Sequence, residues 1–113
     1  MTIEMRLQEK YYNFIKSGTK RIETRLFDEK RRTIQVGDEI VFINRANEND
    51  SVHAKVTELI MSSSFAELVS KYDIDVFADK SITKEEYLAD LDGFYPMEEQ
   101  SKYGVVGIRF ELI

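Results

Sequence analysis

Residues 18–25, with the sequence Gly-Thr-Lys-Arg-Ile-Glu-Thr-Arg, hold the strongest candidates for chemistry in this chain. Lys20 offers a mobile point charge and Arg25 a planar fork of donors, while Glu23 can orient either cation and accept a hydrogen bond. A chain reversal that brings these groups together would hold an anionic ligand. The alternative is a solvated edge strand, whose exposed ion pairs contribute only about 0 to 1 kcal/mol. Residue pattern alone leaves both interpretations open.

Hydrophobic spacing predicts the elements on either side of these residues. Aromatic and apolar residues at near-helical spacing over 11–15 predict a short helix, and Gly18 can take the left-handed conformation that ends it. From 21 to 27 apolar and polar residues alternate, which predicts a strand with Glu23 and Arg25 on one face and Thr24 on the other. The candidate site therefore lies where the first helix meets the second strand.

The rest of the chain predicts a single α+β domain over residues 1–113. Further strands are expected at 3–7, 39–43, 52–60 and 104–113, and further helices from Ser64, from Ser81 and over 97–102, with an acidic loop over 73–81. These elements do not alternate as βαβ units, which disfavours a doubly wound parallel sheet. We expect a small twisted β-barrel of about five strands with short flanking helices.

Charge is distributed unevenly along the sequence. The formal net charge of −5 argues against a protein that coats DNA or RNA through bulk electrostatics. Residues 20–32 nevertheless carry six basic and three acidic side chains, whereas residues 73–99 carry nine acidic and two basic ones. The first segment is expected to attract an anion that the second repels.

Several classes of chemistry lack the residues they need. The chain has no cysteine and one histidine, His53, which the strand pattern places toward solvent, so no metal site is expected. No glycine-rich phosphate motif is present, and no cofactor is expected. There is no apolar run of roughly 18 to 20 residues and no apolar leader, so we expect no membrane association and a cytoplasmic location.

Three motifs together resemble a known family: G-x-K-x-x-E-x-R over 18–25, G-D at 37–38 and the closing G-V-V-G-I of 104–108. The chain resembles, over nearly its whole length, the ASCH (activating signal cointegrator-1 homology) domains of the PUA-like superfamily. The resemblance implies a PUA-like barrel with a cleft between the first helix and the barrel, lined by Lys20, Glu23 and Arg25. It also implies that the partner is RNA or a modified nucleoside.

The same resemblance raises an enzymatic alternative. Some small bacterial members of the superfamily are amidohydrolases that deacetylate N4-acetylcytidine with a lysine, a threonine and a glutamate. By resemblance Lys20 matches the lysine, whereas the threonine falls at Glu23, one residue before Thr24, and the glutamate falls near Ala78 and Asp79. A catalytic Lys20 needs a lowered pKa, which Glu23 would oppose. Binding is therefore favoured, and no catalytic residue beyond Lys20 is assigned.

Two further expectations concern the aromatic residues and the acidic segment. Tyr12, Tyr95 and Tyr103 each flank a turn or a helix end, where a tyrosine ring can stack on a nucleobase. The acidic residues of 73–99 suggest a third hypothesis, a module that docks a basic protein. The oligomeric state does not follow from the sequence.

Overall fold

Five strands and five α-helices make up residues 2–113, the part of the chain that the computed structural model describes. The strands are β1 (Thr2–Leu7), β2 (Ile22–Leu26), β3 (Glu39–Asn44), β4 (Asn47–Ser62) and β5 (Val105–Leu112). The helices are α1 (Glu9–Lys16), α2 (Phe65–Val69), α3 (Ile74–Phe77), α4 (Lys84–Phe94) and α5 (Met97–Tyr103), with a 3-10 turn at Arg31–Thr33.

The strands form one mixed sheet in the order β1-β3-β4-β5-β2. β1 runs parallel to β3, and the other neighbours are antiparallel. The sheet curls into a half-barrel, so its two edge strands approach each other without pairing. One hydrogen bond links them: Nη2 of Arg25 on β2 donates to the backbone oxygen of Arg6 on β1 at 3.0 Å. The α+β fold expected from the sequence, a small barrel of five strands with short flanking helices, is confirmed in this half-barrel form.

Two element predictions need correction. β4 begins at Asn47 rather than near Val52. The prediction missed this part of the strand because its residues are polar and mostly exposed, so they show no hydrophobic alternation. The segment 73–81 is not wholly a loop, since it contains α3, in which the ring of Phe77 is fully buried and stacks 5.5 Å from that of Tyr87. A four-residue helix is too short to leave a periodic signal in the sequence.

The core fills the inside of the curled sheet and extends under the helices. Phe42 on β3 packs against Phe110 on β5 with ring centroids 4.7 Å apart. A Cβ on Gly104 would lie 3.2 Å from the backbone oxygen of Ser62, so a neighbouring strand approaches that glycine closely. Gly104 also has a φ of 71°, which lets α5 end and β5 begin at once.

Candidate functional site

β2 is an edge strand that is nonetheless buried on both faces. All five of its residues are buried, and α3 covers the chain just before it, where Arg21 donates its backbone N–H to the oxygen of Val76 at 2.8 Å. The solvated-edge interpretation is therefore wrong for Glu23 and Arg25, although Arg21 is exposed. Ionisable side chains placed inside a domain must be paired with one another.

Lys20 is held rigidly by the chain around it. Its side chain is 1% exposed, and Nζ donates to the backbone oxygens of Ile22 at 2.9 Å and Phe77 at 2.8 Å. The third acceptor is Oε1 of Glu23 at 3.2 Å. The hydroxyl of Tyr87 is a fourth acceptor at 3.3 Å, so each of the three donors of the ammonium group has a partner. The prediction of a mobile point charge is wrong, because α3 lies over the turn and fixes the side chain.

Glu23 connects both cations of the motif. One carboxylate oxygen faces Lys20, and the other accepts from Nε of Arg25 at 2.8 Å. Arg25 then reaches across the opening of the half-barrel to the backbone of Arg6. The buried cluster of Lys20, Glu23 and Arg25 therefore ties the turn after α1 to both edge strands, and the sequence prediction that these three side chains meet is correct.

Burial and charge set the protonation states of this cluster. Burial lowers the pKa of Lys20 from its ordinary value, against the opposing attraction of Glu23. For Glu23, burial alone would raise the pKa, but the positive charges of Lys20 and Arg25 outweigh burial and bring it below the usual carboxyl value. Glu23 therefore stays ionised and acts as an acceptor, not as a general acid.

The lowered pKa of Glu23 predicts that the cluster is acid-sensitive. Ionised Glu23 contributes stability above its ordinary pKa of 4.5, and that contribution is lost as pH falls through the lower folded value. In urea titrations from about pH 7 to about pH 3, the difference in unfolding free energy between wild type and Glu23→Gln should therefore narrow with acid. Glu58→Gln, in an exposed pair with Arg109, provides the matched control. A difference that stays constant would contradict this assignment.

A cleft of about 240 Å³ opens beside the cluster, between β1, β2 and α4. Glu23, Thr24 and Arg25 all line it, although they are successive residues of β2. Lys20 does not belong to the lining, but it donates to Glu23 and Tyr87, which do. Of the three predicted ligand residues, Glu23 and Arg25 thus line the cleft, and Lys20 lies behind the lining.

Tyrosines from α1 and α4 form the polar wall of the cleft. The hydroxyl of Tyr87 lies 2.6 Å from the Thr24 hydroxyl and accepts from Lys20 at 3.3 Å. Tyr11 donates a short hydrogen bond to Asp90. Burial raises the pKa of Tyr87 well above its ordinary value, so its phenol stays protonated and can donate.

The rim of the cleft carries two arginines and an exposed aromatic ring. Arg6 and Arg45 approach from the end of β1 and from the β3–β4 turn, and both are exposed. The Arg45 guanidinium has no ion pair or side-chain hydrogen bond with any other of residues 2–113. Phe94, at the end of α4, is 44% exposed, which is unusual for a large apolar side chain.

The three tyrosines singled out from the sequence lie in different environments. Tyr95 lines the cleft next to Arg25, and burial raises the pKa of its hydroxyl. Tyr12 is fully buried away from the cleft and donates to Asp50 at 2.8 Å, with burial first among the causes that raise its pKa to about 12. Tyr103 also lies outside the lining. Tyr12 has no exposed face on which a base can stack.

The positions considered for a catalytic glutamate lie elsewhere. Ala78 is buried, and Asp79 accepts from the backbone N–H of Ser81 at 2.7 Å. Neither lines the cleft. Within residues 2–113 no cluster of three or more His, Cys, Asp or Glu residues could hold a metal ion, and no helix is long and apolar enough to cross a membrane.

Sequence reasoning missed several residues of the cleft. They are Arg6, Tyr11, Arg45, Tyr87, Asp90 and Phe94. Their sequence neighbours carry no motif, and they converge only when α4 folds over the end of the half-barrel. The basic segment 20–32 was expected to attract an anion at this site, but of its six cations only Arg25 lines the cleft.

Comparisons with known proteins agree with this architecture. A family model described as the ASCH domain matches residues 5–113. The crystal structure of the hypothetical protein PH0355 is 41% identical over 100% of both chains, with a TM-score of 0.86. The solution structure of protein PF0455 from Pyrococcus furiosus is 35% identical over 100% of this chain and 98% of that one, with a TM-score of 0.77.

A more distant structure supports the fold alone. It is an ASCH domain from Lactobacillus crispatus JV V101, 14% identical, with a TM-score of 0.71 over 98% of this chain and 79% of that one. No curated protein matches the chain. Because the family model covers almost every residue and the fold is shared, this chain belongs to the ASCH domain family.

Proposed function

We propose that this domain binds RNA by taking one nucleotide into the cleft beside Glu23 and Arg25. The observation that carries the proposal is a buried, paired guanidinium that faces an open cleft with an unpaired arginine on its rim. A side chain so fixed can recognise a ligand without losing further conformational freedom. Members of the ASCH domain family are generally thought to bind RNA, which supports the same conclusion.

The size and the walls of the cleft favour a single nucleotide. A volume of about 240 Å³ lies just below the roughly 300 to 1,000 Å³ of ordinary small-molecule sites, so a base fits and a folded RNA does not. Arg25 has five N–H donors; its bonds to Glu23 and Arg6 use two, and the hydroxyl of Tyr95 also contacts the guanidinium. The remaining donors can reach acceptors on a base edge, and the ring of Tyr95 or Phe94 can stack on its face.

Arg45 is suited to the phosphate of the same nucleotide. It is exposed, charged and without a partner in the described chain, so binding an anion breaks no existing pair. Arginine recognises phosphate with two parallel hydrogen bonds. The base would then lie against Arg25, and the phosphate would lie at the rim.

The contacts of Lys20 favour binding over hydrolysis. A lysine that activates a hydroxyl must have a neutral amine with a free lone pair. Burial lowers the pKa of Lys20, but its amine is enclosed by four acceptors, two of which are backbone carbonyls that cannot take part in proton transfer. Thr24 does line the cleft, but its hydroxyl is bonded to Tyr87 and not to Lys20. Release of acetate from N4-acetylcytidine would contradict this part of the proposal.

A nucleotide-binding assay with Arg45→Gln tests the proposal. We expect nucleoside monophosphates to raise the melting temperature of wild type, and the variant to bind them up to about fivefold more weakly, because an ion pair with an exposed side chain contributes at most about 1 kcal/mol. Affinity for the parent nucleosides should be unchanged, since they carry no phosphate. Isothermal titration calorimetry at low salt measures both.

Arg21→Gln is the matched control, because Arg21 is an exposed arginine close in sequence to the site but outside the cleft. It should bind every ligand as wild type does. Absence of a thermal shift and of binding across all four common nucleosides and their monophosphates in wild type would overturn the proposed function.

A further inference from the structure

The opening between the two edge strands continues beyond the cleft. A second concavity, here called the outer groove, is lined by Thr2, Ile3, Glu4 and Arg6 of β1 together with Lys30 and Thr33. The last two belong to the segment that follows β2. The chain that follows β2 therefore runs beside β1 toward Thr2. The outer groove lies between this segment and β1.

Arg6 lines both the cleft and the outer groove, so the two concavities meet at this residue. Its backbone oxygen is bonded to Arg25, while its side chain is 46% exposed. The guanidinium pairs with Glu48 at 2.8 Å and with Glu4 at 3.9 Å, both on the surface. Surface ion pairs of this kind contribute little to stability, so Arg6 can exchange these carboxylates for a phosphate at little cost in free energy.

We propose that the seam from the cleft through Arg6 to the outer groove holds a single strand of RNA at least two nucleotides long. The inference rests on the proposed function: the first base occupies the cleft, the connecting phosphate lies over Arg6, and the adjoining nucleotide lies in the outer groove. Lys30 binds its phosphate, and Thr33 lies beside it in the lining. The domain thus recognises a nucleotide within a strand in preference to a free nucleotide.

Charge along the seam supports a polyanionic occupant. Arg45, Arg6 and Lys30 follow one another from the rim of the cleft to the outer groove. The side chains of Arg45 and Lys30 have no partner among residues 2–113. Among the described residues Glu4 is the one acid that lines the outer groove, and the guanidinium of Arg6 faces both Glu4 and Glu48. Two unpaired cations on either side of a weakly paired one match the repeating charge of a strand.

The test compares a mononucleotide with a short strand. The probes are the four nucleoside monophosphates and a mixed-sequence single-stranded hexaribonucleotide, titrated at low salt by fluorescence anisotropy or calorimetry. We expect the hexanucleotide to bind wild type at least about tenfold more tightly than the best mononucleotide, because more phosphates are neutralised. Equal affinity for the two probes would overturn the inference while leaving the proposed function intact.

Lys30→Gln and Glu4→Gln assign the effect to the outer groove. Lys30→Gln should lower the affinity for the hexanucleotide about threefold or more and leave the affinity for mononucleotides unchanged. It should also reduce the slope of log affinity against log salt by about 0.7, the value for one single-strand phosphate. Glu4→Gln should raise the affinity for the hexanucleotide and leave the affinity for mononucleotides unchanged. Lys55→Gln, an exposed lysine on β4 outside both concavities, is the matched control.

Three outcomes count against the strand. If Lys30→Gln and Lys55→Gln have the same effect, the outer groove takes no part in binding. If an acidic hexapeptide displaces the RNA at equal concentration, the seam binds a protein segment instead. If neither the mononucleotides nor the hexanucleotide bind wild type, the proposed function itself fails. That outcome is distinct from equal affinity for the two probes, which overturns only the inference about the strand.

Discussion

Glu23→Gln should destabilise the domain by about 3 to 5 kcal/mol, the usual consequence of breaking a buried ion pair from one side. Glu23 is 6% exposed and is the one carboxylate bonded to both Lys20 and Arg25. A glutamine has one carbonyl oxygen, so it can accept from only one of the two cations. Its amide N–H₂ would then face the donors of the other, which leaves an uncompensated charge inside the protein.

Urea unfolding at neutral pH measures this loss. Glu58→Gln removes an exposed carboxylate paired with Arg109 and should change the free energy of unfolding by no more than about 1 kcal/mol. In the double variant Lys20→Met with Glu23→Gln, part of the stability should return, because one of the two unpaired cations is gone. A loss in Glu23→Gln no larger than in the control would mean that the carboxylate does not hold the cluster together.

Arg25→Lys should reduce nucleotide affinity at least about tenfold while keeping the charge, since one lost charge-assisted hydrogen bond of about 1.5 to 3 kcal/mol exceeds the 1.4 kcal/mol of a decade. Arg25 makes two bonds in different directions, from Nε to Glu23 at 2.8 Å and from Nη2 to Arg6 at 3.0 Å. The ammonium of lysine is a compact group that lacks the planar fork. It cannot span both partners and still present donors to the cleft.

The same substitution should cost about 1.5 to 3 kcal/mol of folding stability, because a charge-assisted hydrogen bond across the half-barrel opening is lost. Affinity is therefore measured well below the melting temperature, with circular dichroism to show that the variant is folded. Arg109→Lys, in the exposed pair with Glu58, controls for arginine loss as such and should bind like wild type. Wild-type affinity in a folded Arg25→Lys protein would remove Arg25 from the ligand site.

Much of the fold could be predicted because its signals are local. The strands near 3–7, 39–43 and 104–113 follow from alternation or from apolar runs bounded by turns, and the structure has strands there. Ser64 caps α2 through the backbone N–H of Glu67, as the capping-box spacing indicates. The extent of β4 could not be predicted in this way, because a register shift between Val56 and Glu58 interrupts the alternation and polar residues extend the strand.

Part of the candidate site also follows from the sequence. The motif of residues 18–25 identifies Glu23 and Arg25, and the structure places both at the cleft together with Tyr95. Alternation predicts that Thr24 points away from them, yet it lines the same cleft, where its hydroxyl is bonded to that of Tyr87 on α4. Tyr12 flanks a helix as a stacking residue would, but tertiary packing buries it.

The sequence by itself determined the element order, the family and the turn in which a lysine, a glutamate and an arginine come together, because these depend on residues a few positions apart. Only the tertiary structure decided that Lys20 is a fixed support beneath the cleft, since Phe77 and Tyr87, which lie 57 and 67 residues further along the chain, provide its contacts. It likewise decided that Arg6 and Arg45 are the cations at the rim. Such long-range contacts form only when the sheet curls and the helices close over its open edge.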